Sequence, residues 1–202
     1  MTPDNTHVQI LYPPAIPWLQ GRGGNVTSQF GEDGLIAATL ERIGETTRHC
    51  FEVGANDGVW FSNTKALRDA GWSAWLIERD ADAFAKLQAR CGPNEHAMLA
   101  DIILTPLDAC LPKRTAQGEF DLGVIDIDGQ DYWAWHDMQL HRPRVMLVEI
   151  VPNEPARKVE RNSQIRCDQA GLNPIVKLGE SKGYICLAHT LCNALFVRKE
   201  LI

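Results

Sequence analysis

The sequence predicts an α/β protein: a Rossmann-like three-layer sandwich on a mostly parallel sheet of seven strands that ends in an antiparallel hairpin. From residue 32 onward, continuous apolar segments alternate with segments of helical periodicity, as in a parallel sheet covered on both faces. The last two strand segments, 184–189 and 194–198, are separated by residues 190–193 alone. That gap is too short for a crossover helix, so the two strands should pair as a hairpin.

The composition is typical of one globular domain without a basic surface. Of the 202 residues, 45% are hydrophobic and 23% charged, and the formal net charge is −6. Nucleic acid is therefore not expected as a partner, because a phosphate backbone favours a basic face. No segment has the ~20 apolar residues of a membrane span, so no association with a membrane is expected. The N-terminus lacks a signal-peptide pattern, so a cytoplasmic location is expected. The six cysteines form no C-x-x-C pair, which argues against a zinc ribbon.

Residues 1–28 predict an extended arm, and residues 29–202 a single domain. The arm is rich in residues that disfavour regular structure: Pro3, Pro13, Pro14, Pro17 and the glycine-rich run 21–24. Such an arm is able to reach across a homodimer.

The domain's predicted elements follow from apolar periodicity. Leu35, Ile36, Leu40 and Ile43 share one helical face, and Gly44 is placed to end that helix. Further helices are predicted over 63–70, 80–90, 132–138 and 174–182. Strands are predicted over 50–54, 74–77, 97–100, 122–128, 145–150, 184–189 and 194–198.

Acidic residues stand at the carboxyl ends of five predicted strands. They are Glu52, Glu78, Asp101, the pair Asp126 and Asp128, and Glu149. One such acid is commonly a helix cap, but five consecutive strands that end this way predict an acidic rim. Ligands of open parallel sheets bind beyond this edge.

The turn after the first of these strands runs from Glu52 to Gly58. Dinucleotide-binding enzymes seat a pyrophosphate here on G-x-G-x-x-G, whereas this turn offers Gly54 and Gly58, with Asn56 between them and Glu52 before them. A carboxylate favours a cationic ligand without phosphate, such as S-adenosylmethionine with its sulfonium and ammonium groups. The turn accordingly disfavours a nicotinamide dehydrogenase.

Two further acids extend this cofactor site. Glu78 follows Gly54 by 24 residues and ends the next strand, where an acid accepts hydrogen bonds from ribose hydroxyls. Asp101 is placed to accept the adenine amino group, although a cap or turn role explains it equally well.

The fourth strand ends in the candidate catalytic residues. Asp126 and Asp128 are two positions apart, so both side chains are predicted on one face at the strand end, as a general base or an acceptor-orienting acid. The same pair is a candidate Mg²⁺ site, because hard cations take carboxylate oxygens. Asp131 and His136 can complete either arrangement. The alternative is that Asp126 caps the strand and contacts the cofactor without metal.

The chain resembles the FkbM-type branch of the class I methyltransferases over roughly residues 28–200. The segments that carry the resemblance are 28–34 (SQFGEDG), 51–58 (FEVGANDG), 62–64 (SNT), 76–78 (LIE), 125–133 (IDIDGQDYW), 142–144 (RPR) and 193–199 (NALFVRK). The resemblance implies an O-methyltransferase that acts on hydroxyls of sugars, glycans or secondary metabolites, with Gln29 in a helix start that covers the cofactor.

Two departures from the pattern leave an alternative open. Asn56 replaces the usual middle glycine, and the fourth strand ends in Asp-Ile-Asp-Gly-Gln-Asp over 126–131 instead of acid-x-acid-Gly-Ala-Glu. A catalytically degenerate, methyltransferase-like binding module is the alternative.

Overall fold

A computed structural model describes residues 9–10, 16–113, 118–163 and 168–202. The strands are β1 (Gln9–Ile10), β2 (His49–Val53), β3 (Ser73–Glu78), β4 (Glu95–Leu99), β5 (Leu122–Ile125), β6 (Val145–Glu149), β7 (Tyr184–His189) and β8 (Asn193–Arg198). The helices are α1 (Glu32–Ile43), α2 (Lys65–Asp69), α3 (Ala81–Arg90), α4 (Leu107–Cys110), α5 (Asp131–Asp137) and α6 (Leu172–Ser181), and a 3₁₀ turn covers Lys199–Leu201.

All the strands join one sheet in the order β1-β7-β8-β6-β5-β2-β3-β4. Strands β2 to β6 are parallel, and β8 inserts antiparallel between β6 and β7. The predicted seven-stranded sheet with its closing hairpin is therefore confirmed. The two-residue strand β1 pairs antiparallel with β7 and adds an eighth strand that the sequence did not predict.

Helices cover both faces of this sheet, and each interface holds an apolar core. One core contains Phe51, Trp135 and Phe196, and the other contains Leu35 and Trp72. Every residue of β5 and β6 is buried, which explains why these strands are continuously apolar in sequence. The three-layer arrangement follows from this double burial.

Part of the stretch 16–28 packs on the domain, although the sequence predicts an extended arm without a packed element. Ile16 and Leu19 are buried beside Leu35 and Ile36 of α1 in one of the two cores. A domain boundary at residue 28 stays a prediction, and residues 1–8 and 11–15 of the predicted arm lie outside the described residues. Across the described ranges, no helix has the length and apolar character needed to span a membrane.

Strand β5 is shorter than predicted, and this changes the geometry after it. The strand ends at Ile125, so Asp126 and Asp128 follow it instead of forming its last residues. Asp128 adopts a left-handed backbone with a φ of 57°. The strand alternation that would place both side chains on one face therefore does not apply, and that part of the prediction is wrong.

Candidate active site

A cavity of about 550 Å³ lies at the carboxyl edge of the parallel strands. All of the acids predicted at strand ends line it: Glu52, Glu78, Asp101, Asp126, Asp128 and Glu149. They converge because parallel strands present their carboxyl ends at the same edge of the sheet. The volume is within the range of small-molecule sites, about 300–1,000 Å³.

The turn after β2 passes very close to the end of β5. Gly54 has a φ of 82°, and a Cβ on it would lie 1.7 Å from the carbonyl oxygen of Asp126. The amides of Gly54 and Ala55 both donate to the carbonyl of Ile77, at 2.9 and 3.1 Å. Only glycine fits here, so the backbone itself forms this wall of the cavity.

Gly58 serves the packing of the turn and does not line the cavity. Its φ is 78°, and a Cβ there would meet Leu87 Cδ1 of α3 at 2.7 Å. Its predicted role as a direct cofactor residue thus has no support from its position, whereas Asn56 does line the cavity.

Glu78 connects the ends of β2 and β3. One carboxylate oxygen accepts a hydrogen bond from the Asn56 amide at 2.8 Å, and the other accepts the amides of Arg79 and Asp80, both at 2.7 Å. A carboxylate oxygen has two lone pairs, so the oxygen bonded to Asn56 retains capacity for a ligand hydroxyl.

Glu52 is buried and anchors the loop that follows the glycine turn. Its carboxylate accepts hydrogen bonds from Ser62 Oγ at 2.7 Å, Thr64 Oγ1 at 2.6 Å and the Asn63 amide at 2.7 Å. Burial raises the pKa of Glu52, and the hydroxyl bonds oppose that rise. Asn63 also lines the cavity, and its Oδ1 is buried without a hydrogen-bond partner among the described residues.

Asp101 has the turn role that the sequence allows, and its contact with adenine stays a prediction. Its Oδ1 accepts the Ile103 amide at 2.9 Å, as a turn residue does, and the residue also lines the cavity.

A carboxylate cluster, comprising Asp126, Asp128, Asp131 and Glu149, occupies the ends of β5 and β6. Glu149 accepts hydrogen bonds from the Asp128 amide at 2.8 Å and from Gln169 Nε2 at 2.6 Å. Burial, and then the neighbouring carboxylates, raise the pKa of Asp126 and Glu149. Among the described residues, no Lys, Arg or His forms an ion pair with the cluster.

Two of the predicted catalytic residues lie outside the cavity lining. Asp131 is fully buried, and its carboxylate accepts the amides of Ile127 and Gly129, at 2.9 and 3.1 Å, which fixes the loop after β5. His136 Nδ1 lies 2.7 Å from the Asp137 carboxylate on the exposed side of α5.

The candidate Mg²⁺ site at Asp126 and Asp128 is not supported. Within the described ranges, no group of three or more His, Cys, Asp or Glu side chains is arranged to hold a metal ion.

Gln29 reaches the cavity from the segment before α1. Asp33 Oδ2 accepts the amides of Val26, Thr27 and Ser28 at 2.7–2.9 Å, which shapes that segment. The sequence analysis did not identify four other lining residues: Trp60, Phe61, Arg79 and Lys86. The signal for the first two was an aromatic pair in a glycine-rich loop, where no core position is expected.

Comparisons with solved structures identify the fold. An S-adenosylmethionine-dependent methyltransferase from Clostridium acetobutylicum superimposes with a TM-score of 0.57, at 9% identity over 84% of this chain and 92% of that one. The fold is that of S-adenosylmethionine-dependent methyltransferases. A TehB-like S-adenosylmethionine-dependent methyltransferase from Corynebacterium glutamicum matches this methyltransferase fold with a TM-score of 0.53, at 12% identity over 90% and 92% of the two chains. One from Mesorhizobium loti matches with a TM-score of 0.52, at 13% identity over 81% and 95%.

No family model and no curated protein matches the sequence. At these identities the structural likeness shows the methyltransferase fold alone, and it leaves activity and acceptor to be argued from the site.

Proposed function

We propose that this chain is an S-adenosylmethionine-dependent methyltransferase that methylates a hydroxyl of a sugar, glycan or secondary metabolite. One observation carries the proposal: within a methyltransferase fold, the glycine turn and the strand-end acids line a single cavity. The acceptor class rests on the FkbM-type resemblance of the sequence.

The residues present fit the cofactor. The absence of a side chain at Gly54 leaves the backbone open to close approach by a ligand. Acidic side chains outnumber Arg79 and Lys86 in the lining, which suits a cation without phosphate. In this proposal Glu78 binds the ribose hydroxyls and Asp101 the adenine amino group.

Asn56, Asp126 and Gln29 complete the proposed cofactor site. Asn56 presents its amide to Glu78, Asp126 adjoins the glycine turn, and Gln29 approaches from the segment before α1.

The cofactor supplies a methyl group on a sulfonium, whose sulfur leaves as a neutral thioether. The chain's residues have to align the acceptor oxygen, exclude water and take its proton. Asp126 suits the proton acceptor, because burial raises its pKa toward the neutral range where a general base is effective. Asp128 is exposed at the cavity and suits orientation of the acceptor.

Replacement of Glu78 by Ala tests the cofactor site. We expect the affinity for S-adenosylhomocysteine, measured by calorimetry, to fall about 100-fold, because charge-assisted hydrogen bonds to ribose contribute about 1.5–3 kcal/mol each. Glu180→Ala, an exposed change on α6, is the control and should bind as the wild type does. Unchanged affinity in Glu78→Ala would remove Glu78 from the cofactor site.

Turnover separates the enzyme from the binding-module alternative. The protein is incubated with methyl-labelled cofactor and a panel of hydroxylated acceptors, and transfer of label is measured. Methylation of any acceptor rejects the degenerate module. Tight S-adenosylhomocysteine binding without transfer to any member of a broad panel favours that module instead.

A further inference from the structure

The cavity has two chemically different ends. The sheet order places β6 and β5 on one side of β2, and β3 and β4 on the other. Neighbouring strands are ~4.8 Å apart, so the ends of β6 and β3 are separated by roughly 14 Å. Both basic lining residues, Arg79 and Lys86, follow β3 in the chain, where they lie among the acids Asp80 and Asp82, so this end has charges of both signs. At the β5–β6 end the described charged groups are carboxylates: Asp126, Asp128 and Glu149.

An exposed aromatic pair stands at the mouth of this cavity. Trp60 is 65% exposed and Phe61 44% exposed, and both line the cavity. Their ring centroids are 4.6 Å apart at an interplanar angle of 50°. Large aromatic side chains normally bury, so an exposed pair beside a cavity indicates a platform for a ligand.

The loop that carries the pair is held in place at both ends. Asp57 pairs with Arg90 of α3 at 2.5 Å, and Thr27 Oγ1 donates to the Ser62 carbonyl at 2.8 Å. Phe61 has a φ of 56°, a left-handed conformation that is strained for a bulky residue. The surrounding contacts thus maintain a strained backbone that keeps the rings at the mouth.

An acidic side chain that lines the same cavity lacks a positive partner. The carboxylate of exposed Asp128 accepts no hydrogen bond and forms no ion pair within the described part of the chain. An ammonium group has three donors and a positive charge, and it also binds favourably to the face of an aromatic ring.

From these observations we infer that the acceptor carries a positively charged amino group beside the hydroxyl that is methylated, as an amino sugar does. This inference rests on the proposed function and names the acceptor class for the same cavity. The acceptor's ring packs on Trp60 and Phe61, and its ammonium group faces Asp128. An acceptor that bears phosphate or carboxylate is repelled, because it would face carboxylates without a counter-charge.

Three trisaccharides of different charge test the inference. Glucosamine trimer is cationic, N-acetylglucosamine trimer neutral and galacturonic acid trimer anionic. Binding is measured by calorimetry and saturation-transfer NMR to protein saturated with S-adenosylhomocysteine, so that the cofactor site is filled. We expect the glucosamine trimer to bind at least about 10-fold tighter than the neutral trimer, with a dependence on salt, and the anionic trimer not to bind.

Variants test the aromatic pair and the Asp128 carboxylate separately. Trp60→Ala should weaken the binding of the glucosamine trimer about 10-fold. Leu140→Ala, a change at another exposed apolar residue, should leave that binding unchanged. Asp128→Asn should reduce the preference for the cation over the neutral trimer, and Asp69→Asn should leave it unchanged.

Equal affinity for the cationic and neutral trimers, tighter binding of the anionic one, or no binding of any trimer to the S-adenosylhomocysteine-saturated protein overturns the inference. These outcomes leave the proposed function intact. Failure to bind S-adenosylhomocysteine at all would instead refute the proposed function.

Discussion

Gly54 is the residue at which the cofactor turn contacts the end of β5. Its Cβ position is occupied by the Asp126 carbonyl oxygen, and its backbone is left-handed. Any side chain here must push the turn away from β5, and the amides that bond Ile77 move with it. The shape of this cavity wall therefore depends on the absence of a side chain at Gly54.

Gly54→Ala is expected to lower both stability and cofactor affinity. The left-handed backbone alone costs alanine about 1–2 kcal/mol, and the clash adds to this. We expect a fall of at least about 10-fold in S-adenosylhomocysteine affinity, measured by calorimetry, together with a lower Tm.

Gly71→Ala is the matched control, because Gly71 has a φ of 87° and no atom within 4 Å of its Cβ position. That variant should have the same cost of a left-handed backbone and keep the wild-type affinity for S-adenosylhomocysteine. If both variants bind alike, the close approach at Gly54 does not shape the site.

At this scale the sequence located the cavity acids but not their partners. Glu52, Glu78 and Glu149 were identifiable because each ends an apolar strand. The hydrogen bonds of Glu52 to Ser62 and Thr64, and of Glu149 to Gln169, depend on loop paths that local sequence patterns do not determine. The position of Trp60 and Phe61 at the cavity was not predicted for the same reason, because it depends on the path of a loop.

Among the elements, the segment 25–31 is positioned by one carboxylate. The Asp33 carboxylate accepts hydrogen bonds from three successive backbone amides, those of Val26 to Ser28. The Asn25 side chain accepts one from the Gly31 amide at 2.5 Å. This segment has no helix or strand bonds of its own, yet it places Gln29 against the cavity.

Asp33→Ala should release this segment while the domain stays folded. Three amides lose their acceptor, and we expect a cost of about 1–3 kcal/mol in the free energy of unfolding. Hydrogen exchange should accelerate at Val26, Thr27 and Ser28, and cofactor affinity should weaken because Gln29 is displaced.

Asp69 forms a surface ion pair with Lys65, and such pairs contribute about 0–1 kcal/mol to the free energy of unfolding. Asp69→Ala removes this acid. It serves as the control for charge. Unchanged exchange at residues 26–28 in Asp33→Ala would show that other contacts hold the segment.

Elements with strong periodicity matched prediction closely, and weak ones did not. Helix α3 covers Ala81–Arg90 where 80–90 was predicted. The short helix α4 was missed because four residues carry no periodic signal. Strand β5 is predicted too long because another apolar residue, Ile127, follows Asp126, although the ladder to β6 ends at Ile125.

On the scale of the whole molecule, the sheet concentrates negative charge where the site needs it. Each of the five parallel strands contributes one or two acids at or just beyond its carboxyl end, and the parallel order brings them to one cavity. Burial raises the pKa of Asp126, Asp131 and Glu149, so the unliganded fold disfavours their ionised forms. A cationic ligand relieves this cost, which links binding to the protonation of the cluster.

This arrangement predicts a pH dependence of stability. A carboxyl whose pKa is higher in the folded than in the unfolded state binds more protons when folded. Its contribution is complete below the ordinary pKa, near 4, and is lost as the pH rises toward the folded value, by up to about 1.4 kcal/mol per pH unit and group. The unliganded protein should therefore lose free energy of unfolding between pH 5 and 8.

Glu149→Gln isolates one member of the cluster. Glutamine keeps the shape and an acceptor for the Asp128 amide but has no proton to gain, so the slope between pH 5 and 8 should become shallower by up to about 1.4 kcal/mol per pH unit. Urea unfolding at each pH measures it, and Glu180→Gln on the exposed side of α6 should leave the slope unchanged. A slope identical to that of the wild type would contradict the prediction, because it would mean that the pKa of Glu149 does not rise on folding.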